Sequence, residues 1–180
     1  MTRRAVFLDR DGVINGAVVR DGKPYPPPDL ASFAILPRVV ESLARLKAAG
    51  FLLIVVTNQP DVTRGTQDRA VVDAMHDHLR AALPLDAIEV CFDESSDRYK
   101  PRPGMLLGAA RDRGIDLERS AMVGDRWRDV DCGKAAGCFT VFIDRGYAEP
   151  LRAAPDAVCD GLPAAVDLIL AHLPLLSNPA

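Results

Sequence analysis

No long apolar stretch interrupts this sequence. Its longest uninterrupted run, FLLIVV from Phe51 to Val56, is far short of the roughly 20 residues that a membrane-spanning helix needs. The opening MTRR is followed by only a short apolar stretch before Asp9, so neither a signal peptide nor a membrane partner is expected, and the expected location is cytoplasmic. Cysteine is sparse and scattered: Cys91, Cys132, Cys138 and Cys159 form no CxxC or CxC pair, and His76, His78 and His172 are not beside them in sequence. That pattern argues against zinc and against a disulfide framework, and leaves isolated buried thiols as the expectation. A basic excess is lacking as well. With 22 Lys and Arg against 25 Asp and Glu, the formal net charge is −3, which gives no footing for a nucleic-acid partner. Internal repeats, low-complexity tracts and interdomain linkers are all missing, so one domain over residues 1–180 is expected.

What is present is a regular alternation. Short β-rich runs at Ala5–Leu8, Leu52–Val56, Ile88–Phe92, Ala121–Val123, Thr140–Ile143 and, more weakly, Ala157–Cys159 are separated by helical patterns. Those patterns cover Pro37–Ala49, Gln67–Leu83, Pro103–Arg113, Asp129–Ala136 and Leu162–His172. Several strands are apolar on both alternating faces, as strands covered on both sides must be. The order predicts βαβ crossovers and an α/β fold: a three-layer, Rossmann-like domain with a mainly parallel sheet. Residues 16–36 break the rhythm with an Asp21-Gly22 turn and three consecutive prolines, which suits a small flap over the end of the first strand. Residues from 174 onward read as a frayed tail.

In such a sheet ligands bind at the carboxyl ends of the strands, so the residues following each strand matter most. Asp9 and Asp11 follow the first. Taken alone they could be a strand running into an Asp-Gly turn. Thr57, Asn58 and Gln59 follow the second, Lys100 sits in the loop beyond the third, and Asp125 and Asp129 follow the fourth. Three or more carboxylates gathered at one mouth repel one another unless a cation joins them. An all-oxygen cluster points to a hard cation, Mg²⁺ above all where phosphate is present. Lys100 and Thr57 suit the oxygens of a phosphoryl dianion.

These residues also carry a resemblance. FLDRDGVIN resembles the first motif of the haloacid dehalogenase superfamily, VVTNQ the second, YKPRPG the third and VGDRWRD the fourth, in the family's order. The finer pattern, with TNQPDVTRG and KPRPGM, is similar to the branch of heptose 1,7-bisphosphate 7-phosphatases and histidinol-phosphate phosphatases. This chain departs from that branch in lacking the Cys/His zinc loop before the third motif, in carrying Tyr99 where heptose enzymes often have arginine, and in carrying Pro60-Asp61 for Ser-Gly.

The resemblance implies a Mg²⁺-dependent phosphatase working through an aspartyl-phosphate. Asp9 would be the nucleophile and Asp11 the proton donor and acceptor, with Arg10 between them facing away. Asp9, Asp125 and the Asp11 carbonyl would hold the metal. Thr57, the backbone N–H of Asn58 and Lys100 would bind phosphate, and Arg64, Tyr99 and Arg126 the rest of the substrate. Asp129 is left open between a second metal ligand and an orienting partner for Arg126 or Lys100. Trp127 is open between packing and ligand contact, and His76 and His78 are expected in solvent. With no room for a large cap, the expected substrate is a small polar phosphomonoester, a sugar phosphate first, handled by a monomer. A phospho-receiver domain and a nucleic-acid 3′-phosphatase are the rival readings. The first lacks an acid at the Asp11 position, and the acidic balance disfavours the second.

Overall fold

The pleat of a β-strand sends successive side chains to opposite faces of a sheet, and the computed structural model, which describes residues 2–173, builds its three layers on that rule. The chain runs β1 (Arg4–Leu8), β2 (Val18–Arg20), β3 (Lys23–Tyr25), α1 (Val39–Ala48), β4 (Phe51–Asn58), α2 (Arg69–Ala82) and β5 (Ala87–Cys91). It continues through α3 (Gly104–Arg113), β6 (Ala121–Gly124), α4 (Trp127–Ala136), β7 (Phe139–Ile143), β8 (Ala157–Cys159) and α5 (Leu162–His172). Six strands form one sheet in the order β5-β4-β1-β6-β7-β8, every neighbouring pair parallel. Val6, Leu8, Leu53 and Val55 face α1, α2 and α5 in one core cluster. Ala5, Phe7, Leu52 and Ile54 face α3 and α4 in the other. From β1 the chain winds outward first through β4 and β5, then through β6, β7 and β8, so the direction reverses beside β1. That reversal opens a crevice at the carboxyl ends of β4, β1 and β6.

Element boundaries differ from expectation by a residue or two. Helix α4 begins at Trp127 rather than Asp129 because the Asp129 carboxylate accepts the Arg126 backbone N–H at 3.1 Å and caps the first turn. Helix α1 begins at Val39 rather than Pro37, after Arg38 has taken a left-handed conformation. The flap is a two-stranded hairpin, β2 against β3. Its turn residues Asp21 and Gly22 both have positive φ, 50° and 72°, as a tight hairpin turn requires. The hairpin is tied to the body where Ala148 N–H donates to the Gly22 carbonyl. Among the described residues no large cap is inserted elsewhere. Among the described residues no helix is long and apolar enough to cross a membrane. The expected tail at 174–180 lies outside the described residues.

Candidate active site

Because parallel strands share a direction, residues just past their carboxyl ends meet at one edge. Asp9 and Asp11 after β1, Thr57 and Asn58 at the end of β4, and Asp129 in α4 line a cavity of ≈ 230 Å³, with Lys100 at its floor and flap residues above. Asp125, following β6, is buried beneath.

Lys100 organises the floor. Its ammonium donates to Asp9 Oδ1 at 2.7 Å, Asp129 Oδ1 at 2.6 Å and the Val56 carbonyl at 2.8 Å, which uses all three of its protons. The side chain of Asn58 holds the lysine from behind: its Nδ2 donates to the Lys100 carbonyl and its Oδ1 accepts the Lys100 N–H. The Asn58 side chain is therefore a clamp on Lys100. Burial works against the lysine's charge, but Asp129 and Asp9 outweigh it and hold its pKa above the usual value. Asp9 goes the other way. Burial, reinforced by Asp129, pushes it up to about 6 although Lys100 pulls it down. Burial and the same two acids also raise Asp125 well above the carboxylate range.

Three buried acids facing one lysine leave an excess of negative charge, and the geometry shows where a cation fits. One carboxylate oxygen from each of Asp9, Asp125 and Asp129 lies within 4.8 Å of the others. Asp125 Oδ2 accepts the Tyr147 hydroxyl at 2.9 Å, while Oδ1 is buried with no hydrogen-bond partner. Such an orphaned oxygen is costly in isolation and suits a hard cation. Asp129 is different. Both of its oxygens already accept hydrogen bonds, one from Lys100 and one from the Arg126 N–H. Space here depends on glycine: at Gly12, with φ +88°, an added Cβ would lie 1.8 Å from Asp125 Oδ2.

Asp11 is held by three neighbours. Asn15 Nδ2 and Gln59 Nε2 each donate to it at 2.9 Å, and Arg10 Nη2 reaches it at 3.0 Å. Arg10 therefore does not face away from the pair of acids. It is wholly buried, and its Nη1 lies 3.1 Å from His76 Nε2. The expectation that His76 is solvated also fails, since it is 2% exposed; His78 is exposed. Burial first, then the charge of Arg10, pushes His76 down to about 4. Arg10 can only donate, so the ring is neutral with Nε2 accepting. His76→Leu, which removes the acceptor, should lower kcat by about tenfold, and His76→Gln should recover most of it. Equal kcat in both variants would show that the contact does not position Asp11.

The remaining predicted residues are placed as follows. Thr57 is buried, and its Oγ1 accepts from Gln59 Nε2 at 2.9 Å, which leaves the hydroxyl proton to donate. Arg64, Tyr99 and Arg126 all line the cavity, but Arg64 pairs with Glu94 and Asp61, and Arg126 with Glu149. Trp127 packs under the guanidinium groups of Arg152 and Arg128, 3.4 and 4.7 Å from its ring centre. All four cysteines are free thiols, three of them buried. The sequence reading passes over Asn15 and Tyr147, gives Gln59 a strand end but no role, and turns Arg10 and His76 outward. His76 left a usable signal there, because Val72, Met75, His76 and Leu79 share the spacing of one buried helix face.

The family model described as "HAD-hyrolase-like" matches residues 98–165. The D-glycero-D-manno-heptose-1,7-bisphosphate 7-phosphatase of Thermosynechococcus vestitus is 34% identical, over 96% of this chain and 98% of its own. The D-glycero-beta-D-manno-heptose-1,7-bisphosphate 7-phosphatase of Pseudomonas aeruginosa is 36% identical, over 81% and 84%. Among solved structures, the D,D-heptose 1,7-bisphosphate phosphatase of B. bronchiseptica, complexed with magnesium and phosphate, is 30% identical with a TM-score of 0.77, over 94% of this chain and 99% of that one. Likeness of this extent has one meaning: the chain belongs to the haloacid dehalogenase (HAD)-like hydrolases and is a phosphatase of that family.

Proposed function

We propose that the protein removes the 7-phosphate of a D-glycero-D-manno-heptose 1,7-bisphosphate through an aspartyl-phosphate on Asp9. The observation that carries the substrate is the whole-length likeness to relatives named for that activity. For the chemistry it is the Lys100 bridge between Asp9 and Asp129 beside the unpartnered oxygen of Asp125.

Asp9, Asp125 and the backbone carbonyl of Asp11 would hold Mg²⁺, which supplies the positive charge that lets an anionic nucleophile approach a phosphate ester. Lys100 pins Asp9 Oδ1, so Oδ2 is the attacking atom. As it bonds to phosphorus, the ester oxygen departs and takes a proton from Asp11. Asp11 then takes a proton from the water that cleaves the aspartyl-phosphate, which restores both acids. The amides of Asn15 and Gln59 keep Asp11 turned toward that work. Thr57 donates its hydroxyl proton to a phosphoryl oxygen, and Lys100 counters the charge shared by phosphate and Asp9.

The test is a comparison of kcat/KM for both anomers of heptose 1,7-bisphosphate, histidinol phosphate and other sugar phosphates, with Mg²⁺ and with excess chelator. A heptose bisphosphate should rank first, and chelation should remove the activity. A preference for histidinol phosphate would overturn the substrate, and undiminished turnover in chelator would overturn the mechanism.

A further inference from the structure

Besides Lys100, four cations line the cavity: Lys23 on the flap, Arg64, Arg126 and Arg128. Two are already neutralised. Arg64 meets Glu94 at 2.6 Å and Asp61 at 3.3 Å, and Arg126 Nε donates to Glu149 at 2.8 Å as part of a two-point pair. An anion arriving at either would have to displace carboxylates that are bound through several contacts. The other two have no acid. Among the described residues, Arg128 and Lys23 form no ion pair and no side-chain hydrogen bond. Arg128 instead lies over two rings, 4.7 Å from the centre of Trp127 and 5.8 Å from that of Tyr99.

Stacking of this kind orients a guanidinium without neutralising it or occupying its N–H donors. Tyr99 is itself buried and immediately precedes Lys100, so Arg128 is anchored beside the loop that supplies the catalytic floor. The fork of an arginine matches two oxygens of a phosphate, and a lysine adds a point charge on a flexible stem. Acids and Lys100 occupy the inner end of the cavity, while unpaired positive charge is left on Arg128 and on the flap.

We propose that Arg128, assisted by Lys23, binds a second phosphate of the substrate, the one that is not hydrolysed, and so makes the enzyme selective for bisphosphates over monophosphates. This deepens the reading of a heptose bisphosphate as substrate and rests on it. It assigns Arg128 and Lys23 to substrate binding at the distal phosphate, with Arg64 and Arg126 as scaffolding for the cavity wall.

The experiment measures kcat/KM on heptose 1,7-bisphosphate and heptose 7-phosphate, and on fructose 1,6-bisphosphate and fructose 6-phosphate, for wild type, Arg128→Gln, Arg128→Lys and Lys23→Gln. Wild type should prefer the bisphosphate of a pair. Arg128→Gln should reduce that preference by about 30-fold, the size of a lost charge-assisted contact, chiefly through KM. Arg128→Lys should restore part of it, and Lys23→Gln should lose less than Arg128→Gln. A preference that survives Arg128→Gln, or an equal fall on bisphosphate and monophosphate, overturns the proposal while leaving the heptose reading intact. Poor heptose turnover together with an Arg128-dependent preference in the fructose pair overturns the heptose reading and supports the distal site. No preference in any wild-type pair overturns the distal site.

Discussion

Asp9→Asn should abolish turnover, by a factor on the order of 10⁴ or more, and at the same time raise the stability of the metal-free protein. The loss follows from chemistry, since an amide cannot attack phosphorus and release the product by hydrolysis. The stability gain follows from electrostatics. Burial and the neighbouring acids push Asp9 up to about 6 in the folded protein, against about 4 for an unfolded aspartate. A carboxyl with a raised folded pKa favours folding at low pH and loses that contribution as pH rises through the folded value. The ionised Asp9 therefore costs stability at pH 7, and asparagine, which can still accept from Lys100, removes the cost. In excess chelator the melting temperature of Asp9→Asn should exceed that of wild type at pH 7, and the gap should close as pH falls from about 6 to about 4. Comparing the two proteins at each pH cancels the opposite contribution of His76, whose pKa of about 4 makes its neutral buried form progressively harder to keep in acid. Retained turnover would sink the nucleophile assignment. A gap independent of pH would mean that Asp9 is not the strained acid.

Lys100→Met should be the most damaging single change to stability and should lower activity as well. Methionine fills similar space but leaves Asp9, Asp125 and Asp129 buried with no cation, and removes the donor to the Val56 carbonyl. Breaking a buried ion pair from one side costs about 3–5 kcal/mol, which for a chain of this size lowers the melting temperature by roughly 10 °C. Added Mg²⁺ should recover part of the loss, because a cation that binds only the folded form shifts the folding equilibrium. Differential scanning fluorimetry with and without Mg²⁺ reads the stability, and kcat on any accepted phosphomonoester reads the chemistry. An unshifted melting temperature would contradict the charge balance described above.

Much of the floor was legible in the sequence because a parallel sheet has a simple rule. Every strand points the same way, so residues just past successive strand ends share an edge even when they are about a hundred positions apart in the chain. Asp9, Thr57 and Asp125 could be placed that way, and Lys100 followed from its loop. The walls were not legible. Arg10 was assigned to the far side by strand alternation, but β1 has already ended at Leu8, and beyond a strand the alternation carries no force. Its guanidinium turns back to Asp11 and on to α2. Arg64 and Arg126 look like free cations until Glu94 and Glu149, each more than twenty residues away, are seen to neutralise them. Arg128 has the opposite history: it sits among other charges in sequence and proves to have rings, not acids, as neighbours.

The sequence alone therefore determined the layer order, the edge of the sheet that carries chemistry and the residues at its floor, because hydrophobic period and strand direction are local properties that repeat along the chain. Tertiary structure alone decided which charges remain unspent. Neutralisation needs an opposite charge within about 4 Å, and that distance is set by how loops and helices pack across the cavity. The same packing decided that Asp129 accepts from Lys100, that His76 is a neutral acceptor and that Arg128 faces the cavity without an acid partner.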